Sequence, residues 1–133
     1  ERIVVNSILT QDIQNIIAEV EEEGVRELLK DAIALYKTPN SAARQDSVEK
    51  IWDAFERLKT YYTSMDKKQS SEKIIKDMSM SDSNYQNLFN KEFVELTSIG
   101  NNFRIRHHET NKIDIPNDRY YDYLFNRCLL ARL

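Results

Sequence analysis

Two glycines and two prolines in 133 residues leave this chain almost without the residues that tight turns demand. β-Sandwiches and Rossmann-type sheets need them at every reversal, whereas long helices joined by polar loops do not. The expected class is therefore all-α. One domain over residues 1–133 is expected, because this length carries one core and not two. With 41% hydrophobic and 31% charged residues, the composition suits a globular chain and argues against a disordered one. No apolar run reaches bilayer length and no signal-peptide core is present, so no membrane partner is expected and the cytoplasm is the default location. The chain starts without an initiator methionine and stops inside an apolar pattern at Leu130-Ala131-Arg132-Leu133. Both ends read as cuts, which implies further domains in a parent protein.

Apolar spacing locates the helices. Residues 1–7 read as an extended lead-in, with Asn6 or Ser7 as a cap. Ile13, Ile16, Ile17 and Val20 make one stripe. Gly24, after the solvated acidic stretch Glu19–Glu23, is expected to break or bend that helix. Val25, Leu28, Leu29, Ala32, Leu35 and Tyr36 make the next stripe, which Pro39-Asn40-Ser41 stops. The clearest helix carries Val48, Ile51, Trp52, Phe55, Leu58 and Tyr62 on one face. Glu49, Lys50, Asp53, Glu56, Arg57 and Lys59 take the other, with Asp46 or Ser47 as N-cap. Residues 64–83 read mainly as a polar surface linker, with room for a short helix around Ser71–Met78. A further helix opens near Ser83 or Asn84, faces inward with Tyr85, Leu88, Phe89, Phe93, Leu96 and Ile99, and runs into Gly100-Asn101-Asn102. Asp118 is expected to cap a last helix that buries Tyr121, Leu124, Phe125, Cys128 and Leu129. No segment reads as a paired strand, and no internal repeat is present.

Chemistry-bearing residues concentrate in one place. Both histidines, His107 and His108, stand beside Arg104 and Arg106 in the loop after Asn101-Asn102. Guanidinium forks suit phosphate, and imidazole exchanges a proton near neutral pH. Together they fit RNA cleavage: one imidazole takes the proton of a ribose 2′-hydroxyl, a second group returns one to the leaving oxygen, and an arginine holds the phosphate charge. The chemistry requires no metal and no cofactor. The bland alternative is a solvated loop whose ion pairs cap helix ends. Asp53, Glu56 and Arg57 form a second polar set, read as a wet helix face unless that face turns toward the loop. Zinc is not expected, because two adjacent histidines and a distant, buried Cys128 lack a ligand spacing. A net charge of −3 gives no global attraction to nucleic acid, so RNA contact must be local. Phosphate-cradling glycine loops, nucleophile elbows and cysteine pairs are absent from the sequence.

Two runs carry a resemblance. Glu49-Lys50-Ile51-Trp52-Asp53-Ala54-Phe55-Glu56-Arg57-Leu58-Lys59-Thr60 is one. The other is Asn101-Asn102-Phe103-Arg104-Ile105-Arg106-His107-His108-Glu109-Thr110, followed by Tyr123-Leu124-Phe125-Asn126-Arg127. They resemble the C-terminal HEPN-like domain of bacterial abortive-infection type proteins, over roughly residues 25–133. The resemblance implies an up-and-down bundle of four main helices plus the N-terminal helix, commonly a homodimer. It also implies a metal-independent endoribonuclease in which His107, His108, Arg104 and Arg106 are catalytic and Asn101, Asn102, Arg104 and Arg106 contact RNA. The family's arginine precedes its histidine by four to six residues, whereas here the arginines stand closer. The alternative implied is a non-catalytic helical module for dimerisation, RNA binding or sensing; a nucleotide or small-molecule binder using the same loop is the third reading.

Overall fold

The structure, a computed structural model, describes residues 23–60 and 66–130. The expected first helix, its cap at Asn6 or Ser7, and Tyr62 lie outside these residues. Those described form five helices: α1 (Glu23–Lys37), α2 (Ser41–Leu58), α3 (Lys67–Met78), α4 (Ser83–Asn102) and α5 (Asp118–Leu130). The all-helical expectation holds. Gly24 lies in the first turn of α1, so the expected break falls at the edge of the described chain.

α1 and α2 are joined by three residues and pack along each other. Asn40 starts α2 by accepting the amide of Ala43 at 2.7 Å. The cap expected at Asp46 or Ser47 is therefore displaced by more than a turn, because Ser41–Gln45 already favours helix before the apolar stripe begins. Ser47 is instead buried within α2 and donates to the carbonyl of Arg44. Val48, Ile51, Trp52 and Phe55 are buried as expected and form the centre of the core. Each contributes roughly 1.5–3 kcal/mol relative to an exposed side chain.

α5 seals the other side. Phe125 stacks on Tyr36 of α1 with ring centroids 4.1 Å apart, and the buried Cys128 thiol points at the carbonyl of Ile51. Tyr121, Leu124 and Leu129 complete the expected inward face. The cap lies one residue ahead of the expected Asp118: Asn117 accepts the amide of Arg119 at 2.8 Å. Asp118 thereby becomes available to Ser41 and Arg44 of α2.

The short helix expected around Ser71–Met78 is present and longer, spanning residues 67–78 as α3 where linker was expected, and it opens with a reciprocal box between Asp66 and Gln69. Ser70, Ile74 and Ile75 are its buried residues, too few to give a conspicuous stripe. α3 ends in a Schellman turn, with the Ser81 amide on Lys76 and the Met80 amide on Asp77. Asp82 then caps α4.

α4 meets the core through Phe93 and Leu96. Tyr85 and Leu88, expected inward, are exposed, because the aromatic face of α2 reaches only the C-terminal half of this 20-residue helix. Gly100 is inside α4 rather than beyond its end. Lys59, expected on the polar face of α2, is buried; its ammonium donates to Thr97, pairs with Glu56 and lies over Phe55. Among the described residues no helix is long and apolar enough to cross a membrane.

Candidate functional site

The loop between α4 and α5 is closed at its base. Phe103 and Ile113 form an isolated parallel bridge, with the Arg104 amide on Ile113 at 2.7 Å and the Ile113 amide on Asn102 at 2.9 Å. Ile105 is fully buried and anchors the segment, so its polar neighbours in the chain are held at the surface. Lys112 donates to the carbonyl of Gly100 and to Glu109, tying the loop to the end of α4. That ammonium, hydrogen-bonded to Glu109, holds the carboxyl below the usual carboxylate range.

The loop lies against α2. Arg106 Nη2 meets Asp53 Oδ1 at 2.5 Å, and His107 Nε2 meets Asp46 Oδ1 at 3.0 Å. Asp46, Glu49 and Asp53 recur at i, i+3 and i+7, which places all three carboxylates on one side of the helix. Burial opposes the charge on Arg106, but the Asp53 carboxylate outweighs it and raises the guanidinium above its ordinary value. The polar face of α2 thus turns toward the Arg/His loop, through Asp53 rather than through Glu56 and Arg57. Glu56 faces Lys59 and Lys67 instead.

The sequence-selected residues part company here. Arg106 and His107 come to α2. Arg104 turns back, donating through Nε and Nη2 to the His107 carbonyl at 3.0 and 2.6 Å and pairing with Asp114 at 3.6 Å. His108 is exposed and forms no hydrogen bond or ion pair among the described residues. Asn102 donates to Ser98 in its own helix, and Asn101 is exposed. Each arginine therefore already holds a carboxylate, and the surface around them is acidic, with Asp46, Glu49, Asp53, Glu109 and Asp114 contributing to it.

No known protein family matches this chain, and no curated protein or solved structure is significantly similar to it. The site must be read from its own geometry.

Asp46 and Glu49 are the members that sequence reasoning passed over. Asp46 was expected as a helix cap and Glu49 as solvated surface. One ligand atom from each, with one from His107, lies within 4.8 Å of the other two. The sequence holds the acidic i, i+3, i+7 stripe and, separately, two arginines and two histidines clustered in a later loop, with nothing in it that joins the two. What the arrangement offers chemically is an aimed imidazole beside two carboxylates, with a guanidinium clamped alongside.

Proposed function

We propose that this chain is a HEPN-like helical domain of a bacterial defence or toxin-type protein, and that its Arg/His loop acts on RNA as an endoribonuclease. The observation that carries the reading is the pairing of His107 with Asp46 at 3.0 Å while the imidazole remains 54% exposed. A contact this exposed contributes little to stability. Its effect is to fix one ring nitrogen and leave the other to exchange a proton with a bound ribose 2′-hydroxyl. Arg106 and Arg104 first hold the loop in shape, and they reach phosphate by exchanging Asp53 or Asp114 for it. The reading carries a cytoplasmic location and a homodimer.

The test is incubation of the purified chain with single-stranded and structured RNA, in chelator and again with added divalent ions. Cleavage that His107→Ala abolishes is the expected result. No cleavage under any of these conditions, or equal cleavage by the variant, overturns the reading.

A second reading, a non-catalytic dimerisation module, is favoured by a different surface. Ile99, Phe103, Ile115, Pro116, Leu124 and the exposed Tyr120 and Tyr123, with Asp114 as the one charged residue, line a largely apolar groove of about 310 Å³. Apolar surface rimmed by tyrosine suits an interface core. A second copy of the chain is the proposed occupant. Sedimentation showing a dimer that Tyr123→Asp converts to monomer is expected; a strict monomer at high concentration removes this reading.

A further inference from the structure

We infer that Asp46, Glu49 and His107 form a binding site for a divalent transition-metal ion of the Zn²⁺ or Mn²⁺ class. The inference goes beyond the RNA reading and does not rest on it.

Three facts lead there. Asp46 and Glu49 stand one helical turn apart in α2, and the loop brings the His107 imidazole onto the same spot. One ligand atom from each comes within 4.8 Å of the others, and the His107–Asp46 edge is already 3.0 Å. A tetrahedral ion with ligands at about 2.0–2.1 Å needs edges of about 3.4 Å, so small side-chain rotations close the set. Second, Glu49 is only partly exposed and its carboxylate has no hydrogen-bond or ion-pair partner among the described residues. Two adjacent carboxylates without a shared donor repel each other, and a cation between them removes that repulsion. Third, the neighbouring guanidinium is not the missing cation: Arg106 is held by Asp53, and its charge reaches Glu49 only at longer range.

The ligand types select the ion. Two carboxylate oxygens with one imidazole nitrogen suit zinc, manganese and related ions, whereas magnesium and calcium favour oxygen alone. Three protein ligands at a partly exposed place leave at least one coordination position to water or to a substrate oxygen. Such an ion would also supply the positive charge toward phosphate that Arg104 and Arg106, each on a carboxylate, do not offer directly.

The experiment uses the full chain, stripped with chelator and checked by circular dichroism. Zn²⁺, Mn²⁺ and Mg²⁺ are titrated calorimetrically, and Co²⁺ is followed by its visible absorption. Expected is one Zn²⁺ or Co²⁺ per chain, with affinity falling at least ~10-fold in Glu49→Gln and in His107→Gln. It stays unchanged in the remote Asp77→Asn. Absence of saturable binding at one ion per chain overturns the site, as does binding that His107→Gln leaves intact or that Mg²⁺ matches. Ion binding without RNA cleavage supports the site and removes the nuclease reading; cleavage in chelator without ion binding does the reverse.

Discussion

Trp52 and Gly100 are fitted to one another: a Cβ added to residue 100 would lie 2.9 Å from the indole Nε1 and 3.0 Å from Cδ1. That same Nε1 donates to the carbonyl of Leu96 at 3.2 Å. The indole is fully buried, and its place depends on α4 coming this close. Gly100→Ala is expected to destabilise the fold by about 1–3 kcal/mol through overpacking. The better helix propensity of alanine, worth about 1 kcal/mol, offsets part of this and leaves a net loss of up to about 2 kcal/mol. Chemical denaturation checks it, and an unchanged or raised midpoint would show that the indole has room to yield.

Trp52→Ala is expected to cost about 3–5 kcal/mol, because the cavity forms where α2 and α4 meet and neither helix can collapse into it. Thermal melting monitored by helicity reads the loss. A variant as stable as the parent would remove Trp52 from the core.

Met80 adopts φ 52° at the turn after α3 and is 89% exposed. A left-handed backbone costs a side-chain-bearing residue roughly 1–2 kcal/mol, and nothing is gained from packing in return. Met80→Gly should therefore stabilise the protein, by about 0.5–1 kcal/mol once the added freedom of the unfolded chain is counted. Equilibrium unfolding in urea would show the gain, and a loss of stability would contradict it.

Glu56 sets a pH dependence. Burial raises its carboxyl, but hydrogen bonds from Lys67 and Lys59 outweigh that and hold it below the ordinary 4.5. Burial also depresses Lys59, even though Glu56 pulls its ammonium up. A carboxyl depressed in the folded state contributes stability fully present above its unfolded value of about 4.3 and lost as pH falls through the folded one. Glu56→Gln should flatten the acid side of the stability profile below pH ~4.5 and leave its shape near neutrality unchanged. Parallel denaturation series from pH 7 downward test this; identical acid limbs would place the loss elsewhere.

Arg106 and Asp53 join the loop to α2 from partly buried positions. A double-mutant cycle with Arg106→Ala and Asp53→Ala should show a coupling of about 1 kcal/mol. Amide exchange at residues 104–113 should accelerate in either single variant, with little change in α1 or α5. Additive effects would mean that the backbone bridge alone holds the loop.

Legibility in the sequence followed how locally each feature is decided. The faces of α2 and α5 were readable, since burial at Val48, Ile51, Trp52 and Phe55 or at Phe125, Cys128 and Leu129 repeats at the helical period. α3 was legible only as a short helix from Ser71, because two isoleucines among lysines and serines make a faint stripe, although Asp66 and Gln69 mark its true start. Lys59 looked like surface because its acceptor Thr97 and the space beneath it come from α4. The Arg/His loop was visible as a concentration of residue types. Its partners Asp46 and Glu49 were not, because their meeting with His107 is created by the loop crossing α2, a relation that no spacing within either segment contains.

Stacking of Phe125 on Tyr36 has a consequence for how the polypeptide is made. The face that α1 and α2 present to α5 stays bare on the ribosome until α5 has left the exit tunnel, so α1 and α2 cannot close this side of the core by themselves. Expression fragments that stop ahead of residue 118 would carry that face uncovered and be prone to chaperone capture, whereas a fusion boundary placed after α5 leaves it sealed.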